Sequence, residues 1–441
     1  METTATSLVV EAWLEDLVST FVTTSSTSPL PSSQRAKHAS ACPDGSHAPS
    51  DNWDDSFSVS AQTTTARSSA TRITSAGGAG TQRSGRSASP VKAPSGLRFT
   101  ADKEIRYKGA LPAAEMADLS AADTSLIRHL GRISTGQGVL PRCLSDEMQA
   151  LVGELSPIQP WMLAGENDDP LLSRDPHVLR YELYDACEIL ERSVRCDELE
   201  AAELAWNTDV HSPILRLALK GQRTLQAETV SQASICRPLL PRDLSGRVVG
   251  DKMVDFCILF ANLEAEEPAV WHHIRELVGK EKDEQLRTIN QSTSTSLVLQ
   301  PFAVAIETKA TSGSELEAKA QLQSWIFAWL ARMRRFLHLR GLDGRVQDAI
   351  MAKLSFPVII VNCSCWHHYL FRDTPTAVVM YKFVRLGDTH SLLGTYQLQA
   401  SLRTLATWAK GPFWTWLSRI FSHTPPKFST LSFPTFEAFS S

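Results

Sequence analysis

Pro301-Phe-Ala-Val-Ala-Ile-Glu307-Thr-Lys309 is an apolar run that closes on a carboxylate and an ammonium. Its length and apolar content predict a buried strand. Side chains two apart in a strand share a face, so Glu307 and Lys309 project into the same space and Thr308 points away. A second run, Met253-Val-Asp255-Phe-Cys-Ile-Leu-Phe260, sets Asp255 in a similar apolar context. An ionised carboxylate in such a strand is costly unless it is paired or coordinates a cation.

Asp255 and Glu307 are therefore candidate metal ligands, with the Thr308 carbonyl as a third oxygen. Oxygen donors of this kind suit Mg2+ (or Mn2+). The expected chemistry is phosphodiester hydrolysis, with Lys309 positioning the attacking water or the phosphoryl oxygen. The tripeptide alone carries little, because Glu317-Ala-Lys319 repeats its spacing a few residues on. That copy falls in a predicted helix, where residues two apart do not face each other. An ion pair at a strand end remains the alternative reading of Glu307 and Lys309.

Outward from these runs, a helical block is expected over 177–220, broken near Cys196-Asp197, with Asp197 as N-cap and Glu200 as its capping-box partner. Its second half carries Glu203, Asn207 and His211 at successive i, i+4 positions, along one stripe. A short strand is expected at Val248-Val249. A polar insertion over 264–296, helical around 270–286, separates the two principal strands. Ser314 and Glu317 form a capping box for a long helix bearing Trp325 and Trp329, which read as core. Strands over 356–362 and 377–385, a helix over 395–408 and an aromatic segment at 413–416 follow. The order of helix, strands, helix, strand and strand predicts a mixed α/β layer fold.

The stretches 254–259, 301–309 and Gln321-Leu-Gln-Ser-Trp325 resemble the PD-(D/E)xK nuclease superfamily, and its fungal group of nuclease-like proteins in particular. That pattern also takes in Glu203-Leu-Ala-Trp-Asn207 through His211, and Trp366. The resemblance covers roughly residues 97–420. It implies a restriction-endonuclease-like core (αβββαββ), a mixed central sheet flanked by helices. By position it implies that Asp255 and Glu307 bind metal, that Lys309 is catalytic, and that Glu203 is the acidic residue of the first core helix. Gln321 matches the glutamine of a Gln-x-x-x-Tyr motif, with Trp325 in place of tyrosine. The spacing between Asp255 and Glu307 exceeds the common pattern by the 264–296 insertion.

Arg332 and Arg335, with Gln321 and Ala328, fall on nearly one helix face and are the candidate nucleic-acid contacts. A solvated helix face is the alternative. Cys363, Cys365, His367 and His368 lie close in sequence but lack the second distant pair that a zinc site needs. His211, followed by Pro213, reads as a core or capping histidine.

The chain has 441 residues and a formal net charge of −4. That balance excludes a strongly basic nucleic-acid coat, so any such contact needs a local patch. Residues 1–22 read as a short amphipathic helix (Val10, Trp13, Leu14, Leu17, Phe21). Residues 23–96, dense in Ser and Thr, read as a disordered linker too poor in large apolar groups to offset its ordering entropy. A nuclease-like domain over 97–425 and a tail over 426–441 complete the expected organisation. Eight scattered cysteines, no basic leader and no membrane-length apolar run point to an intracellular protein, nuclear or cytoplasmic, without membrane contact. The expected partner is nucleic acid, DNA before RNA, and a dimer is compatible with the sequence. Two activities are open: a metal-dependent nuclease, one form of which is a restriction-like protein of a mobile element, or a catalytically silent nuclease fold serving as an interaction module.

Overall fold

The computed structural model describes residues 103–422 apart from 110–115, 117–118, 155, 166–167, 249–252 and 312. All of these belong to one compact unit, Ser89–Ser441. The helix expected over 1–22, the linker over 23–96 and the tail over 426–441 lie outside the described residues, as does Val249.

Seven strands form one mixed sheet: β1 (Glu104–Lys108), β2 (Leu225–Thr229), β3 (Phe256–Phe260), β4 (Phe302–Lys309), β5 (Phe356–Asn362), β6 (Cys365–Asp373) and β7 (Ala377–Asp388), in the order β1-β7-β6-β5-β4-β3-β2. The pairs β1/β7 and β4/β5 are parallel and the rest antiparallel. The fold is thus α/β, a mixed sheet flanked by helices. Every residue of β3 and β4 is buried. This is the burial that near-continuous apolar runs require when a strand is covered on both faces.

The principal helices are α1 (Ala121–Ser134), α2 (Pro176–Glu198), α3 (Glu203–Trp206), α4 (Ser212–Ala218), α5 (Glu315–Leu339) and α6 (Leu392–Trp408). A π-helical turn, Asn207–His211, joins α3 to α4. Helix α5 packs on β4 and β5, and α6 packs on β7 and α1. Ser314 caps α5 by accepting the N–H of Leu316. Trp325 and Trp329 are buried against Phe302, and the segment at 413–416 finds its place in the same slab, Phe413 on Phe260 and Trp416 on Phe356. Leu316, by contrast, is exposed.

Several local expectations need correction. Helix α2 runs through Cys196-Asp197 to Glu198, so Asp197 does not start a helix. The stop comes at Glu200, in the left-handed region at φ 44°, where the Ala201 N–H closes back on the Cys196 carbonyl. This is a helix C-terminal motif that normally favours glycine at the left-handed position. The strand beside β3 is β2 and not the Val248 region, where only an isolated bridge from Arg242 to Val248 forms. Strand β6, which begins at Cys365, and edge strand β1 were not expected. The strand predicted over 377–385 continues to Asp388, and α6 begins at Leu392, capped by Ser391.

Candidate active site

Strand register assembles the site. Phe256 pairs with Ile306, Cys257 with Ala305 and Ile258 with Val304 in antiparallel order. One further step sets Asp255, just ahead of β3, across from Glu307, and the Asp255 N–H donates to the Ile306 carbonyl at 3.1 Å. Two carboxylates directly opposed on adjacent strands repel each other. Both are buried, Glu307 completely.

Each carboxylate is tied down by one oxygen. Asp255 Oδ2 accepts the Thr308 N–H at 2.9 Å and the Thr308 hydroxyl at 2.8 Å. Among the described residues Asp255 Oδ1 has no hydrogen-bond partner. Glu307 Oε1 accepts the Lys309 ammonium at 2.5 Å, and Glu307 Oε2 is buried without a partner. The ammonium also donates to the Thr308 carbonyl at 2.8 Å and to Glu203 Oε2 at 3.4 Å. Glu203 stands at the start of α3 with its side chain 39% exposed, so the group opens to solvent on that side.

Electrostatics follow from this geometry. Burial and the facing Asp255 carboxylate push the Glu307 carboxyl well above the usual carboxylate range, against the pull of Lys309. Burial also raises Glu203, which Lys309 partly offsets. For Lys309, burial works against the charged form, but Glu307 and Glu203 outweigh it and hold the ammonium above its ordinary range. The orphaned Glu307 oxygen beside a second carboxylate fits a divalent cation. Among the described residues no three His, Cys, Asp or Glu side chains are grouped to hold an ion. Magnesium is commonly held by one or two carboxylates and several waters, so a carboxylate pair meets its needs.

The position of Lys309 depends on a glycine. A Cβ on Gly313 would meet Lys309 Cβ and Cδ at 2.7 Å and the Ala310 carbonyl at 3.1 Å. The turn from β4 into α5 therefore lies directly against the lysine stem. Gln321, on α5, donates to the Met253 carbonyl at 3.2 Å, two residues before Asp255, and makes no hydrogen bond to the carboxylates. The repeat spacing Glu317-Ala-Lys319 lies in α5, where Lys319 pairs with Glu315 at 2.8 Å.

The two arginines do not form an open phosphate track. Arg332 is fully buried, donating to Glu281 Oε1 at 2.5 Å, the Leu286 carbonyl at 2.6 Å and the Thr288 carbonyl at 2.8 Å. A guanidinium with no exposed surface cannot reach a phosphate. Arg335 is 42% exposed but engages Glu281 with two hydrogen bonds of 2.7 Å. Together they fasten the 264–296 insertion to α5. Cys363, Cys365, His367 and His368 do not converge either; Cys363 lies in a left-handed turn at φ 50°, and His368 is buried in β6.

Asn207, His211 and Gly313 are the local residues whose importance sequence spacing understated. The i, i+4 run Glu203, Asn207, His211 was the available signal. In the structure Asn207 meets Thr308, and His211 lies between Trp206 and Trp366.

A family model described as the PD-(D/E)XK nuclease superfamily matches residues 156–414, more than half of the chain. No curated protein and no solved structure matches it. The matched span contains every residue of the site described above.

Proposed function

The chain belongs to the PD-(D/E)XK nuclease superfamily, and from that premise we propose that it hydrolyses nucleic-acid phosphodiester bonds with a divalent cation, Mg2+ or Mn2+, held by Asp255 and Glu307. The observation that carries this reading is the opposed carboxylate pair, each member with one oxygen fastened and one unengaged, beside the Lys309 ammonium.

When bound, such a cation lowers the pKa of a coordinated water and neutralises charge on the scissile phosphate. The protein's own groups do the rest. The Lys309 ammonium has three N–H donors, held by Glu307, the Thr308 carbonyl and Glu203. The one on Glu203, the longest bond at 3.4 Å, is the one that would turn to the attacking water or to a non-bridging phosphate oxygen. Glu307 and, after it, Glu203 keep that ammonium charged, and Glu203 holds it from the solvent side. Asp255 is oriented by Thr308, whose carbonyl is engaged by Lys309, so this carbonyl is a weaker third ligand than the two carboxylates.

The test is a cleavage assay on single- and double-stranded DNA and RNA, DNA first, with Mg2+ or Mn2+ and with chelator. Cleavage should require the cation, and Lys309→Ala should lower it by about 100-fold or more, the scale of losing one aimed donor. Metal-independent cleavage, or wild-type rates in Lys309→Ala, would overturn the mechanism. Metal and nucleic-acid binding without any cleavage would instead make the protein an interaction module.

A further inference from the structure

A continuous chain of hydrogen bonds runs from the end of β5 to Asp255, and its direction is fixed by chemistry. His211 is completely buried, stacked on Trp206 at 5.7 Å and edge-on to Trp366 at 5.6 Å. Its Nε2 lies 2.8 Å from the Cys363 carbonyl oxygen, and its Nδ1 lies 2.8 Å from the side-chain amide of Asn207. No carboxylate among the described residues touches the ring, so burial favours the neutral form with a single N–H. A carbonyl only accepts, and an unprotonated Nε2 at 2.8 Å would set lone pair against lone pair. The proton therefore sits on Nε2, and Nδ1 is an acceptor.

Asn207 must then donate to Nδ1. The Oδ1 terminus of Asn207, 2.8 Å from His211 Nδ1, is also 2.8 Å from Thr308 Oγ1. Amide oxygen and nitrogen share a shape, and hydrogen bonding decides between them. With NH2 at that terminus, one N–H goes to His211 and the other to Thr308. Thr308 accepts it and gives its single hydroxyl proton to Asp255 Oδ2. Every donor then meets an acceptor, from Cys363 through His211, Asn207 and Thr308 to Asp255. The far end closes on the same strand, because the Cys363 N–H donates to the Lys309 carbonyl at 2.8 Å.

We propose that Asn207 and His211 are positioning residues of the site: they hold Thr308, and through it Asp255 Oδ2, so that Asp255 Oδ1 stays free for a divalent cation. This rests on the reading of Asp255 and Glu307 as cation ligands. The π-helical turn Asn207–His211 serves it by carrying both side chains to the end of β4. Turns of this kind are frequent at functional sites.

The experiment is calorimetric titration of the full chain with Mn2+, alongside thermal unfolding. His211→Leu, Asn207→Asp and Thr308→Val should each weaken Mn2+ binding by about 10- to 100-fold, the usual cost of removing an outer hydrogen-bond partner. His211→Gln, whose amide can donate to Cys363 and accept from Asn207, should stay within about threefold of wild type, on the same scale. Asn207→Asp combined with Thr308→Val should lose no more than the worse single change, since both break one chain. Thr308→Val is nearly isosteric and keeps the test open should the other variants fail to fold. Folded Thr308→Val or His211→Leu binding Mn2+ as wild type does would overturn this inference alone. Absence of Mn2+ binding by the wild type would overturn the ligand assignment and this inference with it.

Discussion

Lys309 owes its position to a residue that makes no chemical contribution of its own. Because a Cβ at Gly313 would stand 2.7 Å from two carbons of the lysine stem, Gly313→Ala must move either the turn or the ammonium. Misplacing a catalytic group by about 1 Å can cost on the order of 100-fold in rate. Gly313→Ala should therefore depress cleavage by about 10-fold or more while leaving cation binding by Asp255 and Glu307 largely intact. Turnover and Mn2+ titration on the same preparation check this, and wild-type turnover would refute it. Glu307 and Lys309 were legible in the sequence because a strand that stays apolar for six residues and then presents two charges is uncommon. Gly313 was not legible, because glycine in a strand-to-helix turn fits many roles until the lysine stem is seen against it. The Thr308 to Asp255 bond joins residues 53 apart in sequence and leaves no local pattern.

Among the elements, β4, β5 and α5 declare themselves through apolar runs and a serine cap. Strand β5 was expected over the residues it occupies, 356–362. Strand β2, Leu-Gln-Ala-Glu-Thr, fully buries only Leu225 and lies at a sheet edge, so its sequence lacks the apolar signal that marks β3 and β4. Strand β6 was hidden by its two histidines. The end of α2 has no sequence marker, because Glu200 occupies the left-handed position where a glycine would announce it. The arginines of α5 carried the same charge signal for burial as for exposure, and only the partner in the insertion decides between them. Glu281 is that partner, itself buried and shared by Arg332 and Arg335. Breaking a buried pair leaves an uncompensated charge, at a cost of about 3–5 kcal/mol. Glu281→Ala should lower the unfolding free energy by that order in urea titration, with Mn2+ affinity unchanged in the folded fraction. A loss below about 1 kcal/mol, the scale of an exposed pair, would show that the insertion is not fastened there.

For the molecule as a whole, buried titratable groups set the response to acid. Burial pushes His211 down to about 4 and His368 down to about 3, so both are neutral in the fold, while the unfolded chain titrates them near pH 6.5. Their contribution is complete above about pH 6.5 and is lost as pH falls from there toward 4, at about 1.4 kcal/mol per unit for each group. Asp123 works oppositely. Burial raises it to about 6, so its fold-stabilising proton is present at low pH and its contribution is lost as pH rises through 6. Between pH 6 and 4 the two histidines make stability fall, and the raised carboxylates Asp123 and Glu307 oppose that fall. Asp123→Asn should steepen that fall and His368→Phe should flatten it, in denaturant titrations at pH 7, 6 and 5. The opposed carboxylates at 255 and 307 extend the same logic to metal. A fold that opposes two buried carboxylates across a single ammonium is a gauge of whatever further relieves them, because a cation bound only by the native state adds about 2.7 kcal/mol of stability at 100 times its dissociation constant. Asp255→Asn should then melt higher than the wild type without cation and lose the rise that cation gives, so that in this protein the cost of readiness can be read as a temperature.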